Sequence, residues 1–227
     1  PDGCLNGGAW SDVSETCRCC NGFVGLRCER YAESCSELMA YDYVTFNTKT
    51  FLLSPGFSAP FQTNCAVLKA DEIRTDIVHQ TIGNAINNTR TWSEYVDGYY
   101  APENNSTERD FWLGLEKIHY LNQGGNLTKL IFVLDFGLAN DSFRVKYDDV
   151  VIGGPETHYS LSYGQARIVT NNNNLPFSIC MSPNTPTPFS TPDADHDQDP
   201  AVNCAGAAGA GWWFRNCNFS TECNPLG

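Results

Sequence analysis

The alternation of apolar and polar residues outlines the elements before any motif is considered. Leu130 to Phe136 reads LIFVLDF, a near-continuous apolar run that predicts a central strand. Phe143, Val145 and Tyr147 then alternate with Arg144 and Lys146, the two-residue period of a half-buried strand. Upstream, between Cys35 and Cys65, the chain again alternates (Tyr43, Thr45, Phe51, Leu53), with Ser54-Pro55-Gly56 as a turn. Trp92, Tyr95 and Val96 share one face of a helix that Gly98 can end, and Ile118 and Leu121 mark the apolar face of a second. His119 on that second helix reads as a packed or surface histidine, because no catalytic or ligand motif accompanies it. Asn171 to Asn174 is a polar loop, and Thr185-Pro186-Thr187-Pro188 a rigid connector.

Composition narrows the class. A chain of 227 residues suffices for one ordinary domain and a small one. With a net charge of -12 and no run of Lys and Arg, it lacks the footprint of nucleic-acid binding and is disfavoured at anionic membranes. No apolar run approaches the ~20 residues of a membrane span. The opening Pro1-Asp2-Gly3-Cys4 reads as a processed, mature start. Eleven cysteines, together with N-x-[ST] sequons at Asn87, Asn104, Asn105, Asn126, Asn140 and Asn218, predict a disulfide-bonded, glycosylated, secreted protein. Cys17-Arg18-Cys19-Cys20 has no partner set at zinc-finger spacing. No nucleophile elbow, H-E-x-x-H or phosphate loop is present, so no enzyme is expected.

The chemistry concentrates between Phe189 and Cys217. Asp193, Asp195, Asp197 and Asp199 alternate with other residues, Cys204 and Cys217 lie close enough to be tied together, and Trp212-Trp213 sits between them. Clustered carboxylates repel one another, and Ca²⁺, with six to eight oxygen ligands, relieves that repulsion. The pattern is not an EF-hand, since the sixth and twelfth positions hold Gln198 and Cys204. The competing reading is an ordinary solvated acidic loop.

Two resemblances follow. Residues 4–28 carry C-L-N-G-G and then C-x-C-x-x-G-F-x-G-x-x-C, which resembles an EGF-like module with Trp10 at the family's third cysteine and one whole bridge lost. Thr91-Trp92-Ser93-Glu94-Tyr95, Phe111-Trp112-Leu113-Gly114 and F-S-T-x-D-x-D-x-D, followed by Asn203-Cys204-Ala205, Trp212-Trp213 and Cys217, resemble the fibrinogen-related domain. The expected fold is α+β. An EGF-like module over 1–30 precedes a fibrinogen-related domain over 31–227, which has a mostly antiparallel sheet, short helices and a calcium loop. The F-W-L-G stretch is expected to run on as a helix, and Val150–Gly154 and Tyr159–Tyr163 as paired strands. The EGF-like resemblance implies bridges Cys4–Cys17 and Cys19–Cys28, and the fibrinogen-related one implies Cys35–Cys65 and Cys204–Cys217. Of the remaining Cys20, Cys180 and Cys223, one internal pair, Cys180–Cys223, leaves Cys20 free or intermolecular.

In that family the second and third aspartates bind calcium. The carried-over ligands are Asp195 and Asp197, with carbonyls near Asp199 and Ala201, and Asp193 opens the set. Lectin-like members hold acetylated glycans beside this loop. The corresponding weak pocket would use Trp212, Trp213, Asn216 and Asn218, but Ala208 stands where an aromatic is expected and Asn218 where a histidine is. The pocket's later tyrosines would fall beyond Gly227, as would strands without which the sheet edge is open to a neighbouring chain. The family also implies a cis peptide between Asn216 and Cys217, a state costing about 3–4 kcal/mol. The expected role is non-enzymatic extracellular recognition or assembly with other protein chains as a homo- or hetero-oligomer. The alternative is a calcium-dependent defence lectin that binds acetylated glycans.

Overall fold

The computed structural model describes residues 3–41, 48–53, 57–69, 72–81, 86–102, 109–125, 127–135, 142–171 and 185–217. The expectations at Tyr43, Thr45, Ser54–Gly56, Phe136, residues 172–174, Cys180 and Cys223 lie outside them, as do the sequons at Asn104, Asn105, Asn126, Asn140 and Asn218. The chain divides into two compact units, residues 1–79 and 80–227.

The first unit opens with two small hairpins: β1 (Ala9–Ser11) with β2 (Thr16–Arg18), and β3 (Phe23–Val24) with β4 (Arg30–Tyr31). Segments this short cannot bury an oily core, and sulfur takes its place. Disulfides join Cys4 to Cys17 and Cys19 to Cys28, and Cys17, Cys19 and Cys28 are buried with Phe23 packed against them. Cys20 is an exposed free thiol. Helix α1 (Cys35–Ala40) starts where the Ser34 hydroxyl accepts the Glu37 N–H at 3.2 Å, and Cys35–Cys65 ties it to the strand that carries Cys65. That bridge closes a separation of 30 residues and in the chain-entropy model contributes roughly 3–4 kcal/mol. Strands β5 (Thr48–Leu52), β6 (Phe61–Lys69) and β7 (Glu72–Thr75) form an antiparallel sheet in that order, and β8 (Val78–His79) ends the unit.

The compact units thus divide at 79/80, with residues 1–30 inside the first of them. The reason is backbone pairing: Ala32 donates to Gly22 O and accepts from Leu53 N–H, both at 2.8 Å, so the hairpins are stitched to β5. Gly22, at φ 86°, lies so close to this strand that a Cβ would fall 2.0 Å from the Phe51 carbonyl oxygen.

The second unit begins with α2 (Trp92–Asp97), capped by Thr91 and Glu94 in a reciprocal box and ended by Gly98. Strands β9 (Tyr99–Tyr100) and β10 (Phe111–Trp112) pair before α3 (Leu115–Gln123). Phe111 and Trp112 are therefore strand, not the start of the helix. Gly114, at φ 106°, makes the break, and a Cβ there would meet Gly98 N at 2.7 Å, so only glycine permits this approach. His119 is a packing residue: its ring nitrogens lie 2.8 Å from Ile152 O and from Gln123 Nε2.

Strands β11 (Lys129–Asp135), β12 (Ser142–Asp148) and β15 (Gln165–Asn171) form an antiparallel sheet in the order β11-β12-β15. Among the described strands β11 is thus at an edge and β12 central. The apolar run misleads because Val133 faces outward, 40% exposed, while Phe143, Val145 and Tyr147 are buried. Strands β13 (Val151–Ile152) and β14 (Leu161–Ser162) pair around a 3-10 turn at Pro155–Thr157. Thr187 is more than a connector: its N–H and C=O both pair with Leu161, and the residue is buried.

Candidate functional site

The segment from Phe189 to Cys217 is anchored before it is acidic. Ser190 exchanges both backbone hydrogen bonds with Trp212, at 2.9 and 3.0 Å, and Thr191 pairs with Ala194 across a tight turn. Phe189, Trp212, Trp213 and Phe214 are buried, and Phe189 packs against Tyr95, Trp112 and Trp213. Trp213 Nε1 donates to Tyr159 O at 2.8 Å. Tyr95 locks the arrangement: its hydroxyl donates to Asn88 O and accepts from Gly211 N–H, at 2.7 and 2.8 Å. The tryptophan pair therefore belongs to the core and offers no ring face to solvent. Asn216 is exposed, Asn218 lies outside the described residues, and Ala208 is half-buried at the end of α4 (Cys204–Ala208).

Each aspartate does a defined structural job. Asp193 Oδ1 accepts from Trp92 N–H at 2.9 Å and from the Thr191 hydroxyl at 2.7 Å, so it satisfies an orphan donor at the start of α2. Asp195, Asp197 and Asp199 form successive Asx turns, in which each carboxylate accepts the backbone N–H two residues on, at 3.2, 2.8 and 3.0 Å. The last of these donors is Ala201. Asp197 Oδ2 also takes the Cys204 N–H at 2.8 Å, and Asn203 Oδ1 caps α4 through Gly206 N–H at 2.7 Å.

Electrostatics at this loop is unbalanced. Burial, with the adjoining Asp195 carboxylate opposing it as well, raises the Asp197 pKa above the ordinary aspartate value; the N–H groups of Cys204 and Asp199 pull the other way. The Cys204 and Cys217 sulfurs lie within 4.8 Å of the Asp197 carboxylate but are bonded to each other, so they are not thiolate donors. The donor set is hard oxygen, which fits a divalent cation of the calcium type. Asn216–Cys217 is trans, since no peptide bond among the described residues is cis; the expectation of a cis bond is corrected in favour of the default that non-proline peptides adopt.

His196 was not singled out in the sequence. Its N–H donates to the Ser190 hydroxyl and its Nδ1 lies 2.9 Å from Phe189 O. Its ring stacks on His158 at 3.7 Å and meets Trp92 edge-on at 4.8 Å. Burial, then repulsion from His196, lowers the His158 pKa below 6.5. The only available signal was its place between alternating aspartates. Asn87, the one sequon asparagine described, is exposed, with its Oδ1 accepting Thr89 N–H at 2.9 Å.

Comparison with known proteins extends this geometry. The chain is 27% identical over 192 residues to human ficolin-3, covering 85% of this chain and 58% of the relative. It is 30% identical over 141 residues to bovine fibroleukin, covering 62% and 30%, and 28% identical over 144 residues to mouse angiopoietin-related protein 6, covering 63% and 28%. The chain thus spans between 28% and 58% of the length of these relatives. In fold it is similar to the fibrinogen-like globe domain of human ANGPTL6 (TM-score 0.60, 23% identity, 82% of this chain and 75% of that one). It is likewise similar to lamprey fibrin D-dimer complexed with the peptide Gly-His-Arg-Pro-amide (TM-score 0.63, 21% identity, 86% and 62%). The model of the C-terminal globular domain of fibrinogen beta and gamma chains matches residues 32–225, and this chain is a member of that family.

Proposed function

We propose that this chain is a secreted, non-enzymatic subunit for extracellular recognition and assembly, built from an EGF-like module and a calcium-stabilised fibrinogen-related domain. The observation that carries the reading is the pair of adjoining carboxylates, Asp195 and Asp197, held by Asx turns in a loop that Asp197 ties to the backbone of Cys204, itself bridged to Cys217. Asp195 and Asp197 would hold calcium with carbonyls near Asp199 and Ala201. The ion supplies the positive charge the loop lacks and so fixes its conformation; no bond is made or broken. Asp193, engaged by Trp92 and Thr191, sets the loop's position. Four disulfides among the described residues support an oxidising compartment, and no helix there is long and apolar enough to cross a membrane. The lectin alternative loses support because Trp212 and Trp213 are buried.

The test is native mass analysis of the full glycosylated protein, with and without chelator and with and without reductant. A covalent or calcium-dependent multimer supports the assembly role. A monomer under every condition contradicts it.

A further inference from the structure

The sheet β11-β12-β15 turns one face to the core and the other outward. Its register aligns Lys129 with Asp148 and Gln165, Ile131 with Lys146 and Arg167, and Val133 with Arg144 and Thr170 on the outward side. Lys129, Arg144 and Arg167 are exposed. Of the other cations of the second unit, Arg90 is engaged with Glu94, Arg109 with Ala101 O and the Tyr100 ring, and Lys117 with Asp97 O, while Arg215 lies in the segment between Cys204 and Cys217. On this face only Lys146 has an ion-pair partner among the described residues, Asp148 at 3.8 Å. Lys146 also stands directly opposite Arg167, a like-charge pair that weakens a sheet. In a chain of net charge -12 such a cluster does not follow from composition.

We propose that this outward face binds a linear sulfated polysaccharide, with Arg144 and Arg167 gripping sulfates and Lys146 and Lys129 flanking them. Guanidinium forks match oxyanions in bidentate fashion, and neither arginine has an ion-pair partner among the described residues. Neighbouring strands stand ~4.8 Å apart and like-facing residues along a strand ~7 Å, so the cations form a short row suited to regularly repeated fixed charges. Its outward register positions carry Ile131 and Val133, with the exposed Ile168 and Val169 beside them at the irregularity in β15, and no aromatic side chain stands among them, so the aromatic anchors that centre a protein interface are missing. In the oxidising extracellular setting that the disulfides point to, sulfated polysaccharide is the abundant polyanion. The site uses none of the aspartates and is independent of calcium.

The experiment is retention of the full chain on immobilised heparin in chelator. The expected result is binding at low salt that weakens as salt rises. Arg144→Ser with Arg167→Ser should lower affinity by about tenfold or more and reduce the salt slope by about two, whereas Arg18→Ser leaves both unchanged. The double variant should melt no lower than the parent, since it relieves the Lys146–Arg167 repulsion, which separates lost binding from lost folding. Unsulfated hyaluronan should be retained less than heparin. Absence of retention, retention that needs calcium, equal binding of hyaluronan, or equal loss in Arg18→Ser overturns the proposal. Light scattering that shows self-association of the polysaccharide-free protein, abolished by the double variant, would assign the face to a second copy instead and likewise overturn it.

Discussion

Asp193 and Trp92, 101 residues apart in sequence, are joined by a 2.9 Å hydrogen bond in which the tryptophan's backbone N–H donates to the aspartate carboxylate. One side chain thereby holds the acidic loop to the first turn of α2. Asp193→Ala should lower unfolding free energy by about 1–2 kcal/mol, as loss of a helix cap does, while Asp193→Asn, which keeps an acceptor oxygen, should cost less. Denaturant unfolding of the two variants measures the difference.

Tyr95 connects the helix to the strand-like segment before Trp212 through a hydroxyl buried between Asn88 O and Gly211 N–H. Tyr95→Phe keeps the ring contacts and strands both backbone groups in an apolar site. A loss of about 2–4 kcal/mol is expected, with little change in denaturant slope. A loss under 1 kcal/mol would mean that water replaces the hydroxyl.

The stacked His158–His196 pair gives an acid-side prediction. His158 titrates below 6.5 in the folded protein because burial and the neighbouring ring disfavour its charged form. The unfolded chain therefore binds more protons between the folded value and 6.5, so stability is at its full level above 6.5 and falls as pH drops through that window. Proton NMR should place the His158 midpoint below 6.5, and His196→Asn should move it part of the way back, burial being the larger cause.

Cys20 is exposed and unbonded, whereas Cys17, Cys19 and Cys28 around it are bridged. A thiol-reactive label should modify Cys20 in native protein whose chains are not joined through it. Protein in which it is not labelled should run as a covalent dimer on a non-reducing gel, and Cys20→Ser should abolish that species. An unlabelled monomer would contradict the assignment.

Much of the fold was legible because local signals agreed. Trp92, Tyr95 and Gly98 outline α2, and alternation at Phe143, Val145 and Tyr147 marks β12 with its buried face. What escaped depends on pairing between distant segments. Phe111-Trp112 reads as helix until Gly114 is seen wedged against Gly98, and LIFVLDF reads as central because apolarity does not say how many neighbours a strand has. The same holds at the sites. The alternating aspartates were visible, but Asp193's attachment to Trp92 and the stacking of His196 on His158 arise only in the folded chain. Likewise Lys129, Arg144, Lys146 and Arg167 form no run in sequence and become a cluster only through strand register.

The central claim is that Asp195 and Asp197 hold calcium. The most direct measurement is the melting temperature of the full protein across a calcium titration, for the parent, Asp195→Asn with Asp197→Asn, and Asp193→Asn. The account predicts a rise in the parent, equivalent to about 2.7 kcal/mol at a hundredfold excess over the dissociation constant. It predicts no rise in the double variant and a near-parental rise in Asp193→Asn. A parent that does not respond to calcium, or a double variant that responds as the parent does, would contradict it.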